Sequence, residues 1–155
     1  MTNNDILIRL RYALNITDLK VIELFKLADY EIGRPELEAL FKREEEAGYL
    51  PCDDATMDRF LKGLVISRRG KREEGGSPIP RVKLRLSNND ILKSLRIALE
   101  LKDEDIISIM RLAEVEVSKA EVNALFRKKG HPNYRDCGDQ FLRNFLVGLT
   151  ARYRV

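Results

Sequence analysis

The pentapeptide NNDIL occurs twice, as Asn3 to Leu7 and as Asn88 to Leu92, and each opens a stretch that repeats through the rest of the chain. Sliding the sequence on itself by 85 residues, without gaps, places Leu10 on Leu95, Arg11 on Arg96, Asp18 on Asp103 and Glu31 on Glu116. The same register aligns Ala39-Leu40-Phe41 with Ala124-Leu125-Phe126, Tyr49 with Tyr134, Cys52 with Cys137, and Phe60-Leu61-x-Gly63-Leu64 with Phe145-Leu146-x-Gly148-Leu149. About two dozen identities over roughly 70 positions at one ungapped offset define a tandem duplication. Whatever fold one copy adopts, the other adopts as well.

Residues 68–85, RRGKREEGGSPIPRVKLR, lie between the copies and combine Gly, Ser and Pro breakers with seven basic residues. This composition reads as a linker. The chain thus divides into a first repeat at 1–67, the basic linker at 68–85 and a second repeat at 86–155. Their net charges are −4, +5 and +2.

Each copy reads as four helices. Thr2 and Ser87 stand three residues before Asp5 and Asp90, the arrangement of a helix-capping box, and Ile6, Leu10, Ala13 and Leu14 follow at helical spacing. A second helix after Asp18 carries Val21, Leu24, Phe25 and Ala28, with Ile106, Ile109, Met110 and Ala113 as counterparts. The third starts at Gly33-Arg34-Pro35-Glu36 or at Ser118-x-x-Glu121, since proline is tolerated in a first turn. The fourth follows Asp54 and carries Met57, Phe60, Leu61, Leu64 and Val65. No sustained period-two pattern argues for strands. The expected fold is all-α, a tandem duplication of a small four-helix domain with about eight helices. A unit of roughly 70 residues has a thin core alone, so the copies are expected to pack together with pseudo-two-fold symmetry.

Hydrophobic residues at 44% and charged residues at 34% suit a globular chain. No apolar run approaches the roughly 18 residues of a membrane span, and the N-terminal residues lack a secretory pattern. The expected location is cytoplasmic, with no membrane partner. Cys52 and Cys137 form no CxxC pair and are read as buried structural thiols. A thiol nucleophile needs a base, and the single His131 is matched by Glu46 in the first copy, so a duplicated Cys–His pair is ruled out there. Two Cys and one His make a poor zinc set, and no phosphate-binding Gly-rich loop opens a helix. No cofactor is expected, nor is enzymatic activity.

The NNDIL-x-x-LR-x-AL opening, E-[LV]-x-ALF and the closing FL-x-GL together resemble the bacterial YehS-like family of uncharacterised proteins. The resemblance covers essentially the whole chain. It implies a duplicated cytoplasmic domain and carries no functional residues with it.

Two groups of polar residues call for an account. Arg11 and Arg96 sit at the edge of the apolar stripe of their helices, where a half-buried guanidinium needs an acceptor. A structural ion pair with an acid of the second helix or its exit is expected, Glu31 and Glu116 being the first choice. The other group is cationic: Arg68, Arg69, Lys71 and Arg72 in the linker, and Lys119, Asn123, Arg127, Lys128 and Lys129 around the third helix of the second copy. Together with a helix-turn-helix-like pattern in that copy, they suggest nucleic-acid contacts or a regulatory role. The first copy suits this poorly, because Glu36 and Glu38 would face phosphates with like charge. The same cations also fit a solubilising linker and a helix C-terminus complementing its dipole. A protein-interaction adaptor using a surface shared by the copies is the alternative. The paired amides Asn3-Asn4 and Asn88-Asn89 exceed what one helix cap requires, and the sequence does not fix the oligomeric state.

Overall fold

The computed structural model describes residues 1–70 and 82–154. Among these residues it contains eight α-helices and no strand. In the first copy they are α1 (Asn3–Ala13), α2 (Asp18–Leu27), α3 (Arg34–Leu40) and α4 (Asp54–Arg69). In the second they are α5 (Asn88–Leu99), α6 (Asp103–Leu112), α7 (Lys119–Phe126) and α8 (Asp139–Tyr153).

The helix starts follow the capping chemistry. Thr2 and Ser87 each accept the backbone N–H of the Asp three residues on, and that Asp accepts the cap residue's own N–H. Two otherwise orphaned donors are satisfied at each start. Gly33 caps α3 without a side chain, and Pro35 lies in its first turn. Helix α4 runs on to Arg69, so Arg68 and Arg69 form its last turn rather than the beginning of a linker.

The copies exchange their packing partners. Within a copy, the second helix lies along the fourth, α2 on α4 and α6 on α8. The first helix instead packs chiefly across the duplication, α1 along α8 and α5 along α4. The buried residues Ile6, Leu7, Leu10 and Ala13 of α1 therefore share one continuous core with Leu142, Phe145, Leu146 and Leu149 of α8. Each such large apolar side chain contributes roughly 1.5–3 kcal/mol on burial, and neither copy encloses its first helix alone.

Polar contacts repeat the exchange. Asp54 at the start of α4 accepts from Asn3 of its own copy at 2.8 Å and from the Leu86 N–H of the other copy at 2.9 Å. Asp139 at the start of α8 accepts from Asn88 at 2.8 Å and from the Met1 nitrogen at 3.2 Å. Met1 and Leu86 are 85 residues apart, so the two clasps are related by the pseudo-two-fold. At the far ends of these helices, Arg69 reaches Glu100 at 2.7 Å, and Arg154, its counterpart, donates to the Asn15 side chain at 3.0 Å. Asn15 and Glu100 are equivalent too, both holding left-handed backbone with φ of 53° and 55°.

The glycine of FL-x-GL is explained by a close approach. A Cβ at Gly63 would lie 1.8 Å from the Leu24 carbonyl oxygen, and one at Gly148 would lie 2.1 Å from that of Ile109. The fourth helix of each copy can lie on the second only where no side chain intervenes.

Candidate nucleic-acid interface

The candidate surface is shaped by the connection between the third and fourth helices, which forms no helix over residues 41–53 and 127–138. Asn4 and Asn89 hold these connections in place. Asn4 Nδ2 donates to the carbonyls of Leu40 and Leu50, both at 2.9 Å, while its Oδ1 accepts the Cys52 N–H. Asn89 repeats the pattern with Leu125, Arg135 and Cys137. Asn3 and Asn88 add bonds to the Cys52 and Cys137 carbonyls. The amide pairs are thus braces that bring the connection against the start of α1 or α5.

A groove opens where each connection passes the helix start. In the second copy it has a volume of about 1040 Å³ and is lined by Arg85, Lys93, Arg127, Lys128 and Lys129. Its carboxylates are Asp54, Asp90 and Asp136. Asp54 is engaged in its clasp, and Asp90 meets the Ser87 N–H and Lys83 Nζ, at 3.0 and 2.9 Å. Burial pushes the Asp90 carboxyl up, but the Ser87 and Lys83 contacts outweigh it and hold its pKa below the usual aspartate value. Tyr134 and Phe126 supply aromatic surface.

The equivalent groove of the first copy is smaller, about 270 Å³, and mixed in charge: Lys42 and Arg43 stand with Asp5, Glu44 and Glu45. Across the 85-residue register, Lys93 replaces Ile8 and Lys129 replaces Glu44, whereas Tyr134 and Tyr49 correspond. One frame carries two different electrostatic fields.

Of the residues singled out in the sequence, Arg127, Lys128 and Lys129 enter the groove. They follow α7 instead of lying on it, since Arg127 is its C-terminal cap. Lys119 and Asn123 do not line the groove. Lys119 sits 3.7 Å from Glu104, and Glu121 is used in the capping box of α7, leaving the helix start poorly equipped to read bases. Arg69 borders an adjoining depression of about 380 Å³ that shares Lys93 and Phe126 with the groove. Arg68 is exposed in the last turn of α4. Lys71 and Arg72 lie outside the described residues. Arg85, Lys93 and Tyr134 do not stand out in the sequence, because they belong to three separate segments that only the fold assembles.

The arginine ion pairs form with different acids from those expected. Arg11 Nη2 lies 2.8 Å from Asp18 Oδ1, and Arg96 Nη2 lies 2.9 Å from Asp103 Oδ1. No hydrogen bond is aligned at either Asp oxygen, so the attraction is Coulombic rather than directional. The second helix does supply the acid, but from its first residue and not from Glu31 or Glu116 at its exit. Four residues separate α1 from α2, which brings Asp18 beside Arg11, while Glu31 lies beyond a helix about 15 Å long. Each guanidinium also covers a ring, Phe41 at 4.8 Å and Phe126 at 4.5 Å. Glu116 pairs instead with Arg111 at 3.2 Å, and Glu31 is exposed.

Cys52 and Cys137 are free and buried. Burial, reinforced by Asp53 and Asp54, pushes the Cys52 thiol up to about 12, and burial with Asp139 pushes Cys137 up to about 11. Such thiols are poor nucleophiles at neutral pH. His131 Nδ1 accepts the Asn133 N–H at 3.0 Å, a local loop contact. Among the described residues no three His, Cys, Asp or Glu side chains converge as a metal ion would require, and no helix is long and apolar enough to cross a membrane.

The fold and its groove define a duplicated, all-helical protein built on one capped and amide-braced unit used twice. The chain belongs to the family described as "Protein of unknown function (DUF1456)", whose model matches residues 3–70 and 88–154, one match per copy. It is 39% identical over 155 residues to the uncharacterized protein YehS of Escherichia coli (strain K12), an alignment covering 100% of this chain and 98% of that protein. No solved structure matches the chain.

Proposed function

We propose that this protein is a non-enzymatic binding module that takes nucleic acid along the basic groove of its second copy, with a regulatory role through that contact. The observation that carries the reading is the divergence of two equivalent grooves. Positions that are Ile8 and Glu44 in one are Lys93 and Lys129 in the other, although the bracing amides are the same. Arg127 and Lys128 have cationic counterparts in Lys42 and Arg43, but Lys93 and Lys129 have none, so the same fold forms without the two added cations. Arg68 stands exposed in the last turn of α4, beside Arg69, which is paired with Glu100, and the sequence continues with Lys71 and Arg72. Clustered cations release condensed counterions on meeting phosphates, which makes binding steeply salt-dependent.

Fluorescence anisotropy with unrelated DNA and RNA, repeated across salt, tests this. Neutralising Lys128 and Lys129 should weaken binding of every sequence and reduce the salt slope by about one for each phosphate that is no longer neutralised. Absence of binding at low salt sinks the reading.

A second reading, a protein adaptor, draws on a different surface. Ile8, Tyr12 and Val147, all exposed, border an apolar groove of about 500 Å³ between α1 and α8, which is shared by the two copies. Partner capture abolished by Val147→Asp but not by Lys128→Ala would favour it.

A further inference from the structure

We infer that the basic groove selects single-stranded over duplex nucleic acid, stacking a base on Tyr134 while Lys93, Arg127, Lys128 and Lys129 hold the neighbouring phosphates. This rests on the nucleic-acid reading above and narrows it to a substrate class.

Shape is the first argument. Reading duplex DNA directly requires an element that projects into a major groove about 8.5 Å deep. Helix α7 has eight residues, its starting turn is committed to capping, and Arg127, Lys128 and Lys129 come after its end, while Lys93 lies on α5 in the groove wall. They line a recess, and a recess admits a strand more readily than a rigid duplex. At about 1040 Å³ it reaches the upper limit of small-ligand clefts, roughly 300–1,000 Å³. It adjoins the depression that leads to Arg69, which suits an extended ligand.

Composition is the second. Proteins that bind single strands combine a positive channel with aromatic faces, because every base has a π-face to stack. Tyr134 is half-buried in the wall of the groove, held by the turn in which its N–H donates to the His131 carbonyl at 2.9 Å. Phe126 also lines the wall but lies under the Arg96 guanidinium, which makes Tyr134 the available platform.

The third is the state of the charges. Lys93, Arg127, Lys128 and Lys129 make no ion pair among the described residues, whereas of the three carboxylates in the lining Asp54 and Asp90 are engaged and Asp136 alone is left to oppose them. The net field facing a ligand is positive. Tyr49 occupies the equivalent place in the first copy without that field and so provides an internal control.

The test compares a labelled single strand of about twelve nucleotides, within the usual site size, with its own duplex by anisotropy on the full chain. The single strand should bind at least about ten-fold more tightly, and Tyr134→Leu should weaken it about ten-fold while leaving duplex affinity unchanged. Tyr49→Leu makes the same substitution at the matched position and should alter neither affinity. Equal binding of the duplex overturns the selectivity but leaves the nucleic-acid reading standing. A single-strand preference that survives Tyr134→Leu, or falls equally with Tyr49→Leu, overturns the stacking assignment. Binding of neither form overturns both readings.

Discussion

Asn4 Oδ1 accepts the backbone N–H of Cys52 at 2.9 Å, across 48 residues of sequence, while the same amide donates to the carbonyls of Leu40 at the end of α3 and Leu50 in the connection that follows. One side chain therefore satisfies three backbone groups, including the carbonyl of the last residue of α3, which lacks an intrahelical partner.

Asn4→Ala should cost about 2–4 kcal/mol, because it orphans those groups in a site where Asn4 is only 4% exposed. Asn89→Ala should cost less, about 1–2 kcal/mol, since Asn89 is half-buried and water can reach some of its partners. Urea unfolding of the two variants measures both. Equal losses would contradict the assigned difference in burial.

Gly63→Ala should be more damaging than any loss of a cap. Alanine favours a helix interior by about 1 kcal/mol over glycine, but here its methyl would meet the Leu24 carbonyl oxygen, a backbone atom that cannot turn aside. Overpacking typically costs about 1–3 kcal/mol and occasionally more; against an immovable backbone atom the net loss should be about 2–3 kcal/mol, and Gly148→Ala should behave alike. Thermal unfolding with a Tm at or above that of the parent chain would refute the close approach.

Double-mutant cycles separate the two candidate partners of Arg11. Coupling with Asp18 should be about 0.5–1 kcal/mol, in keeping with a partly exposed pair, and coupling with Glu31 should be near zero. Added salt should shrink the Asp18 value. Coupling found with Glu31 instead would mean that the α1–α2 turn is arranged differently.

Thiol labelling reads out the buried cysteines. With pKa values raised to about 12 and about 11, Cys52 and Cys137 remain protonated near pH 8 and should resist alkylation in the folded chain. The thiolate fraction grows as pH rises, so labelling should accelerate toward about pH 10, Cys137 ahead of Cys52. Rapid modification of both at pH 8, without denaturant, would show that they are not enclosed.

Local chemistry is legible in the sequence and distant chemistry is not. Capping boxes lie within four residues, and the apolar stripes within a turn or two, so Thr2, Ser87, Ile6 and Leu10 announce their roles. The duplication announces itself through register. The amides of Asn4 and Asn89 do not, because their acceptors lie 36 to 46 residues away and are backbone atoms with no residue signature. Asp18 does not stand out as the partner of Arg11 because it also reads as an ordinary first-turn acid. The groove is legible only in its Arg127-Lys128-Lys129 edge; Lys93 looks like one more exposed helix residue until the connection is folded beside it.

The exchange of first helices has a consequence for how such a chain can arise. A single unit of this kind, made alone, leaves the apolar face of its opening helix uncovered and completes itself only by lending that helix to a sister molecule, as swapped homodimers do. Joining two units in one gene makes the partnership unimolecular and frees it from the demand that both partners be identical. Selection can then rework the lining of one groove while its twin keeps a separate balance of charge.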